Sequence, residues 1–122
     1  MLGRLHSLVV DCPDPPRLAT FYEELLGLER VEDEDEWVTS ERDGTRIAFQ
    51  RVESFVPPRW PDPGAPQQMH LDALVENLDV AEPQVLELGA KLLEGSDKPI
   101  GFRVYADPVG HPFCLVTPES IS

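Results

Sequence analysis

The strongest constraint on the fold of this chain is an internal repeat with a spacing of 64 residues. The residues that coincide at this spacing are His6 with His70, Asp43 with Asp107, and Gln50 with Cys114. A solenoid needs at least three stacked units, whereas two copies of a long unit are typical of paired modules. The repeat therefore predicts two related modules, paired about a pseudo-twofold axis around a shared cleft.

The first copy begins with a strand pattern followed by a helix pattern. Residues 5–10 form an apolar, β-branched run in which His6 shares a face with every second residue. Asp14 is a candidate helix N-cap, Pro15 suits the first helical position, and apolar residues follow at helical spacing until Gly27. The pattern predicts one strand and one helix.

A hairpin follows this helix. The dipeptide Asp43-Gly44 favours a two-residue turn in which both central residues have positive φ. Counting outward from that turn places Trp37 opposite Gln50, with both side chains on one face of the sheet. We interpret the acidic stretch 32–36 before the hairpin as a solvated strand edge.

The second copy repeats this order. Residues 70–75 predict a strand, and Asp79 with Glu82 predicts a capping box for a helix that ends before Gly89, with Pro83 in its first turn. Three further strands are predicted at residues 91–94, 102–105 and 113–116, with a turn at 107–110. Each copy therefore has the order βαβββ, and the fold class is α+β.

The chain of 122 residues predicts a single domain over residues 1–122. Module one covers residues 5–52, a proline-rich connector covers 53–69, and module two covers 70–117. Phe55 and Trp60 in the connector have three possible roles: they cover the cleft, meet a second subunit, or pack on their own domain.

The formal net charge of −13 argues against binding to nucleic acid or to anionic membrane surfaces, because both depend on Lys and Arg. No segment matches a signal peptide or a membrane span. In a chain without a secretion signal, two cysteines are typically present as reduced thiols. We therefore expect a cytoplasmic protein without a disulfide framework.

Four positions form the candidate site for chemistry. Each copy has a histidine near the start of its first strand and a second donor near the end of its last strand, namely His6 with Gln50 and His70 with Cys114. Imidazole, amide and thiolate groups all bind divalent transition metals. If the modules pair about a twofold axis, the four side chains converge on one point.

Short motifs add a family resemblance. The helix end from Thr20-Phe21-Tyr22 to Leu26-Gly27, the turn Asp107-Pro108-Val109-Gly110 and the paired βαβββ units resemble the vicinal oxygen chelate superfamily over residues 5–117. This superfamily includes glyoxalase I, extradiol dioxygenases and bleomycin-resistance proteins, and the chain is most similar to its small glyoxalase-like members of undetermined function.

The resemblance implies a divalent metal such as zinc, nickel, iron or manganese, with ligand positions at His6, Gln50, His70 and Cys114. Of these we expect His6, Gln50 and His70 to bind the metal. Relatives with isomerase activity usually have glutamate at the positions of Gln50 and Cys114. Because an amide has no titratable proton and a thiol has a higher pKa than a carboxyl group, this departure argues against glyoxalase I activity. Asp72 is the candidate catalytic carboxylate.

Two functions of different class remain open. In the first, the chain is a metal-dependent lyase, isomerase or dioxygenase that acts on a small oxygenated molecule. In the second, the cleft sequesters a small molecule, of the antibiotic type, without turnover, which the negative charge would suit for a cationic ligand. Trp37 and Cys114 are the expected substrate-binding residues in either case. The resemblance also implies a homodimer.

Overall fold

The computed structural model describes residues 2–65, 69–95 and 101–120 of the chain. The chain divides into two compact units, Met1–Phe55 and Val56–Ser122, which we call the first unit and the second unit. Each unit carries a four-stranded sheet. In the described residues, no helix has the length and apolar character needed to cross a membrane.

The first unit has five elements. They are β1 (Leu8–Cys12), α1 (Pro15–Leu26), β2 (Glu29–Asp33), β3 (Trp37–Arg42) and β4 (Thr45–Arg51). The strand order in the sheet is β1-β4-β3-β2, with β1 parallel to β4 and the other neighbours antiparallel. The first unit is thus a βαβββ module, as predicted.

Helix α1 begins and ends where the sequence predicts. The Asp14 side chain accepts a hydrogen bond from the backbone N–H of Arg17, and Pro15 is the first helical residue. Gly27 follows the last turn at a φ of 71° and donates its N–H to the carbonyl of Glu23. Glycine adopts this left-handed conformation without a steric penalty, so it ends the helix.

The hairpin prediction is confirmed in turn type and in register. Asp43 has a φ of 50° and Gly44 a φ of 86°, so both central residues are in the left-handed region. Trp37 lies opposite Gln50 in the antiparallel pairing of β3 with β4. A slip of one residue would have moved both side chains to the other face.

The start of the first strand is predicted wrongly. Strand β1 begins at Leu8 instead of residue 5, so His6 precedes it and is exposed. Leu8 is the first residue that pairs with β4, since Ile47 lies beside it in the register. An apolar sequence run favours a strand but does not supply a partner for every residue in it.

The second unit repeats the βαβββ order and confirms the α+β class. Its elements are β5 (Leu71–Leu74), α2 (Leu78–Glu87), β6 (Lys91–Glu94), β7 (Phe102–Ala106), β8 (Pro112–Val116) and a short 3₁₀ helix (Pro118–Ser120). The sheet order is β5-β8-β7-β6, with β5 parallel to β8. The three predicted C-terminal strands are confirmed. The pairing of the two modules about a shared cleft stays a prediction.

Helix α2 differs from its prediction at the N-terminus. Asn77, not Asp79, is the N-cap, and its side chain accepts a hydrogen bond from the N–H of Val80. Asp79 and Glu82 instead accept hydrogen bonds from the buried Arg103, so neither carboxylate serves a capping box. Because the helix begins before this pair, Pro83 lies inside it rather than in the first turn.

The turn at 107–110 is confirmed and has a clear cause. Oδ1 of Asp107 accepts hydrogen bonds from the backbone N–H groups of Val109, Gly110 and His111. The carboxylate is buried and satisfies these N–H groups of the turn, and the N–H of Gly110 also donates to the backbone carbonyl of Asp107. The turn therefore fixes the start of β8 and, through it, the position of Cys114.

Candidate functional site

Three side chains of the second unit form a cluster of possible metal ligands. His70, Asp72 and Cys114 each offer one donor atom, and these three atoms lie within 4.8 Å of one another. Nε2 of His70 lies 3.3 Å from Oδ1 of Asp72. We call this group the His70–Asp72–Cys114 cluster.

The pairing of two parallel strands creates the cluster. Asp72 in β5 lies beside Cys114 in β8, so their side chains project from the same face of the sheet. His70 lies two positions before Asp72, just outside the strand, and alternation brings its imidazole to that face as well. The two parts of the cluster are distant in sequence and adjacent only through this register.

A cavity of about 210 Å³ adjoins the cluster. It is lined by Trp60, His70, Glu94, Phe102, Val104, Pro112 and Cys114. The wall is mostly apolar, with the imidazole, the thiol and one carboxylate as its polar groups. This combination of an apolar wall and a few polar groups is typical of small-molecule sites.

Trp60 of the connector packs against the sheet of its own unit. Its indole ring contacts the buried group formed by Val104, Cys114 and Val116. Of the three roles open for Trp60 in the sequence, packing on its own unit is therefore the one observed. Its Nε1 is buried and has no hydrogen-bond partner within the described ranges, so apolar packing holds the ring in place.

The thiol of Cys114 is poorly ionised in the metal-free protein. Burial raises its pKa to about 11, and the neighbouring Asp72 carboxylate adds to the increase because it repels a thiolate. The residue as a whole is 8% exposed, while the side chains of His70 and Asp72 are 41% and 51% exposed. The cluster thus has one sheltered donor and two accessible ones.

The donor set fits a divalent transition metal. Metal–ligand distances of about 2.0–2.3 Å require the donors of one zinc ion to lie within about 4.6 Å of each other. The 4.8 Å limit of the cluster is close to this value, and the exposed His70 and Asp72 have room to rotate. Imidazole, carboxylate and thiolate together favour zinc, cobalt or iron over magnesium.

The remaining predicted site residues belong to the first unit. Gln50 is exposed in β4, between Asp11 of β1 and Trp37 of β3. Trp37 is half-buried, and its Nε1 donates a 2.9 Å hydrogen bond to the hydroxyl of Thr39. Metal binding by His6 and Gln50, and ligand binding by Trp37, stay predictions.

The acidic stretch 32–36 contributes a hydrogen-bond acceptor to Thr39, the same residue that Trp37 contacts. The hydroxyl of Thr39 donates a 2.6 Å hydrogen bond to Glu32, so a side chain that we interpreted as part of a solvated edge fixes a buried threonine. This contact was not visible in the sequence, because it depends on a bulge in the pairing of β2 with β3.

The strand registers change the alignment of the two copies. Asp11 lies beside Gln50 in the first unit, as Asp72 lies beside Cys114 in the second. If Gln50 and Cys114 are equivalent, the first strands are offset by 61 residues, not 64, and His70 corresponds to Val9. The sequence equivalence of His6 with His70 is therefore wrong, because identical residues were aligned without knowledge of the pairing.

Four residues of the cavity wall were missed by sequence reasoning: Glu94, Phe102, Val104 and Pro112. A signal was available for some of them. Strands β7 and β8 were both predicted, and the observed register places Val104 directly opposite Cys114. Once Cys114 is a candidate, alternation along β7 makes Phe102 and Val104 candidates too. The turn between the strands determines this register.

Two βαβββ units with metal-type donors on one sheet face define a fold of the glyoxalase type. A sequence profile of the glyoxalase-like domain family matches residues 7–116. The chain belongs to this family, and with it to the vicinal oxygen chelate superfamily. Among proteins with curated descriptions, none matches the sequence.

Solved structures with the same fold cover nearly the whole chain. A putative glyoxalase from Bacillus halodurans is 18% identical, covers 96% of this chain and 97% of its own, and has a TM-score of 0.72. A fosfomycin resistance protein from Mesorhizobium loti is 14% identical over 95% and 92%, with a TM-score of 0.70. The bleomycin-binding protein of Streptomyces verticillus is 16% identical over 96% and 98%, with a TM-score of 0.58.

Proposed function

We propose that the chain binds a small oxygenated molecule in the cavity beside His70 and Cys114, and acts on it as a metal-dependent lyase, isomerase or dioxygenase. The observation that carries this proposal is the position of metal-type donors in the wall of an apolar cavity. Membership of the glyoxalase-like family supports it.

The volume of the cavity limits the size of the ligand. Sites for drug-sized molecules have volumes of about 300–1,000 Å³, and this cavity is smaller, at about 210 Å³. A compact diol, hydroxy acid or catechol suits this volume. Phe102, Val104 and Pro112 provide apolar contacts for its carbon skeleton, and the polar groups of the wall bind its oxygens.

The residues of the cluster have separate roles in this proposal. A divalent metal, when bound, would polarise the substrate oxygens and stabilise a developing anion. His70 would hold that metal together with Asp72, whose Oδ1 lies 3.3 Å from Nε2 of the imidazole. The second carboxylate oxygen of Asp72 is free of that role, and the side chain is 51% exposed, so Asp72 stays the candidate catalytic base for a ligand proton.

Ligand binding with and without metal tests the proposal. Catechol should raise the melting temperature of the zinc-loaded protein, and a chelator should remove this increase. The variant His70→Ala should show no increase, because the cavity loses a metal ligand. His111→Ala is the matched control, since His111 lies in the adjacent turn and is absent from the described cavity wall. An equal response of both variants would contradict the proposal.

Sequestration of a cationic molecule is the second candidate function. Glu94 in the cavity wall and the net charge of −13 favour a positively charged ligand. The bleomycin-binding protein among the structural neighbours supports a binding role in this fold. Stabilisation by a small aromatic cation that persists after chelation, and that is lost in Glu94→Gln, would favour this function over the enzyme.

A further inference from the structure

The second unit alone contains a nearly complete set of metal donors. We propose that the divalent metal of this protein is bound by the imidazole of His70, the carboxylate of Asp72 and the thiolate of Cys114, without His6 or Gln50. The inference rests on the metal dependence proposed above and specifies which ligands, and hence which metals, the site takes.

The geometry of one sheet face supports this ligand set. The side chains of Asp72 and Cys114 lie on neighbouring parallel strands in register, and His70 is within 3.3 Å of Asp72. All three donor atoms fall within 4.8 Å of one another. Two strands and one turn, all within the second unit, therefore place the donors.

The registers also argue against His6 as a ligand. His70 corresponds to Val9 in the first unit, so His6 lacks the position that brings His70 to its cluster. Gln50 has the position equivalent to Cys114, but a neutral amide is a weaker ligand for transition metals than a thiolate. At this position the second copy of the repeat therefore has the stronger donor.

A sulfur ligand determines the metal preference. Thiolate favours zinc, cadmium and cobalt, whereas magnesium and manganese prefer oxygen ligands. Binding breaks the S–H bond of Cys114, forms a sulfur–metal bond and releases one proton to solvent, with no change of oxidation state. The carboxylate of Asp72 supplies the second negative charge that balances the divalent ion.

The surroundings of the sulfur suit a bound metal with an accessible side. Trp60 packs against the buried group that contains Cys114, and Cys114 is only 8% exposed, so its sulfur is shielded from solvent. His70 and Asp72 are far more exposed, and the cavity adjoins the cluster. Three protein ligands with an open coordination position are characteristic of catalytic rather than structural zinc sites.

Absorption spectroscopy of the full chain with cadmium and cobalt tests the ligand set. Each metal should bind at one equivalent and produce a thiolate-to-metal charge-transfer band in the ultraviolet. Cys114→Ser should lose the band, while Cys12→Ser should keep it, because Cys12 is buried in the first unit. A band that persists in Cys114→Ser, or no band with either metal, would overturn the inference.

Variants of the other donors complete the test. Asp72→Asn and His70→Ala should each weaken cadmium binding by at least about tenfold. His6→Ala and Gln50→Ala should leave it unchanged within about twofold. A loss of affinity in His6→Ala as large as that in His70→Ala overturns the proposed set. Near-ultraviolet circular dichroism of each apo variant establishes that it is folded.

The two proposals fail in different ways. If catechol stabilises the protein in the presence of chelator and no charge-transfer band forms, the ligand set is wrong while small-molecule binding survives. If cadmium binds through Cys114 but no oxygenated ligand stabilises the loaded protein, the ligand set holds and the proposed function fails.

Discussion

Arg103 donates a 2.7 Å hydrogen bond to Oδ1 of Asp79, although only 2% of the arginine side chain is exposed. The same guanidinium donates to Glu82 and to the carbonyl of Leu78. Tyr105 donates a 2.7 Å hydrogen bond to Glu82 from the same strand as Arg103. This buried polar network joins helix α2 to the sheet that carries the candidate site.

Replacement of Arg103 should be strongly destabilising. In Arg103→Met the carboxylate of Glu82, whose side chain is 21% exposed, loses its cation. Removal of one partner of a buried ion pair costs about 3–5 kcal/mol, so the free energy of unfolding should fall by this amount. Urea denaturation followed by circular dichroism measures the change.

Asp79→Asn is the control for this network. The Asp79 side chain is 72% exposed, so its pair with Arg103 is screened by solvent and the variant should lose no more than about 1 kcal/mol. If Arg103→Met is no less stable than Asp79→Asn, the network does not hold the helix to the sheet.

Tyr105 should make the fold less stable as the pH rises into the alkaline range. Burial, and then the Glu82 carboxylate, raise the pKa of Tyr105 well above its ordinary value near 10. Above about pH 10 the unfolded chain therefore releases this proton and the folded chain keeps it. The free energy of unfolding should fall by up to about 1.4 kcal/mol per pH unit in this range.

Optical titration isolates the Tyr105 hydroxyl. The chain has two tyrosines, so Tyr22→Phe leaves Tyr105 as the single source of tyrosinate absorbance. We expect this absorbance to appear together with unfolding rather than before it. Tyr105→Phe should show a weaker decrease of stability with pH. If the free energy of unfolding falls as steeply with pH in Tyr105→Phe as in the wild-type chain, Tyr105 is not the group responsible.

Gly110 should not tolerate a side chain. An added Cβ would lie 2.7 Å from Cβ of Pro57, and the residue has a φ of +107°. Gly110→Ala should therefore lower the free energy of unfolding through steric overlap and through backbone strain of about 1–3 kcal/mol. Chemical denaturation gives the total loss.

Gly101→Ala separates the two causes. Gly101 has a φ of +101°, and within the described ranges an added Cβ would meet no heavy atom within 4 Å. It should carry the backbone strain alone and be less destabilising than Gly110→Ala. Equal losses would show that the contact between the connector and the turn is unimportant.

Metal binding should be visible in the fluorescence of Trp60. The chain has two tryptophans, so Trp37→Phe leaves Trp60 as the only one. Because its indole packs against the buried group that contains Cys114 and lines the same cavity, cobalt at the cluster should quench its emission. Unchanged emission on saturation with cobalt would contradict binding beside Trp60.

The predicted role of Trp37 in ligand binding has a matching test. In Trp60→Phe, where Trp37 is the only tryptophan, addition of catechol should change the emission of Trp37.

Local signals fixed most of the secondary structure. Asp14 and Gly27 define both ends of α1 because each acts on backbone groups a few residues away. The Asp43-Gly44 turn defines the hairpin register because two residues at positive φ permit few alternatives. The order βαβββ in each half, and hence the α+β class, follows from such short-range preferences.

Long-range competition decided the parts that were predicted wrongly. Asp79 and Glu82 have the spacing of a capping box, but the buried Arg103 takes both carboxylates, and Asn77 caps the helix instead. No local rule predicts the burial of an arginine whose partners lie more than twenty residues away. Likewise, the strand pattern predicted around His6 is paired with β4 only from Leu8 onward in the part of the chain that the structure describes.

The candidate site was predictable in part, since it depends both on local residue chemistry and on long-range strand pairing. The sequence by itself determined which side chains have metal-type chemistry, since His70, Asp72 and Cys114 were all candidates. Only the tertiary structure decided that these three lie together, because the parallel pairing of β5 with β8 sets the neighbours of Asp72. Residue chemistry is a local property, whereas the distance between two donors depends on a register that the intervening helix and strands must fix.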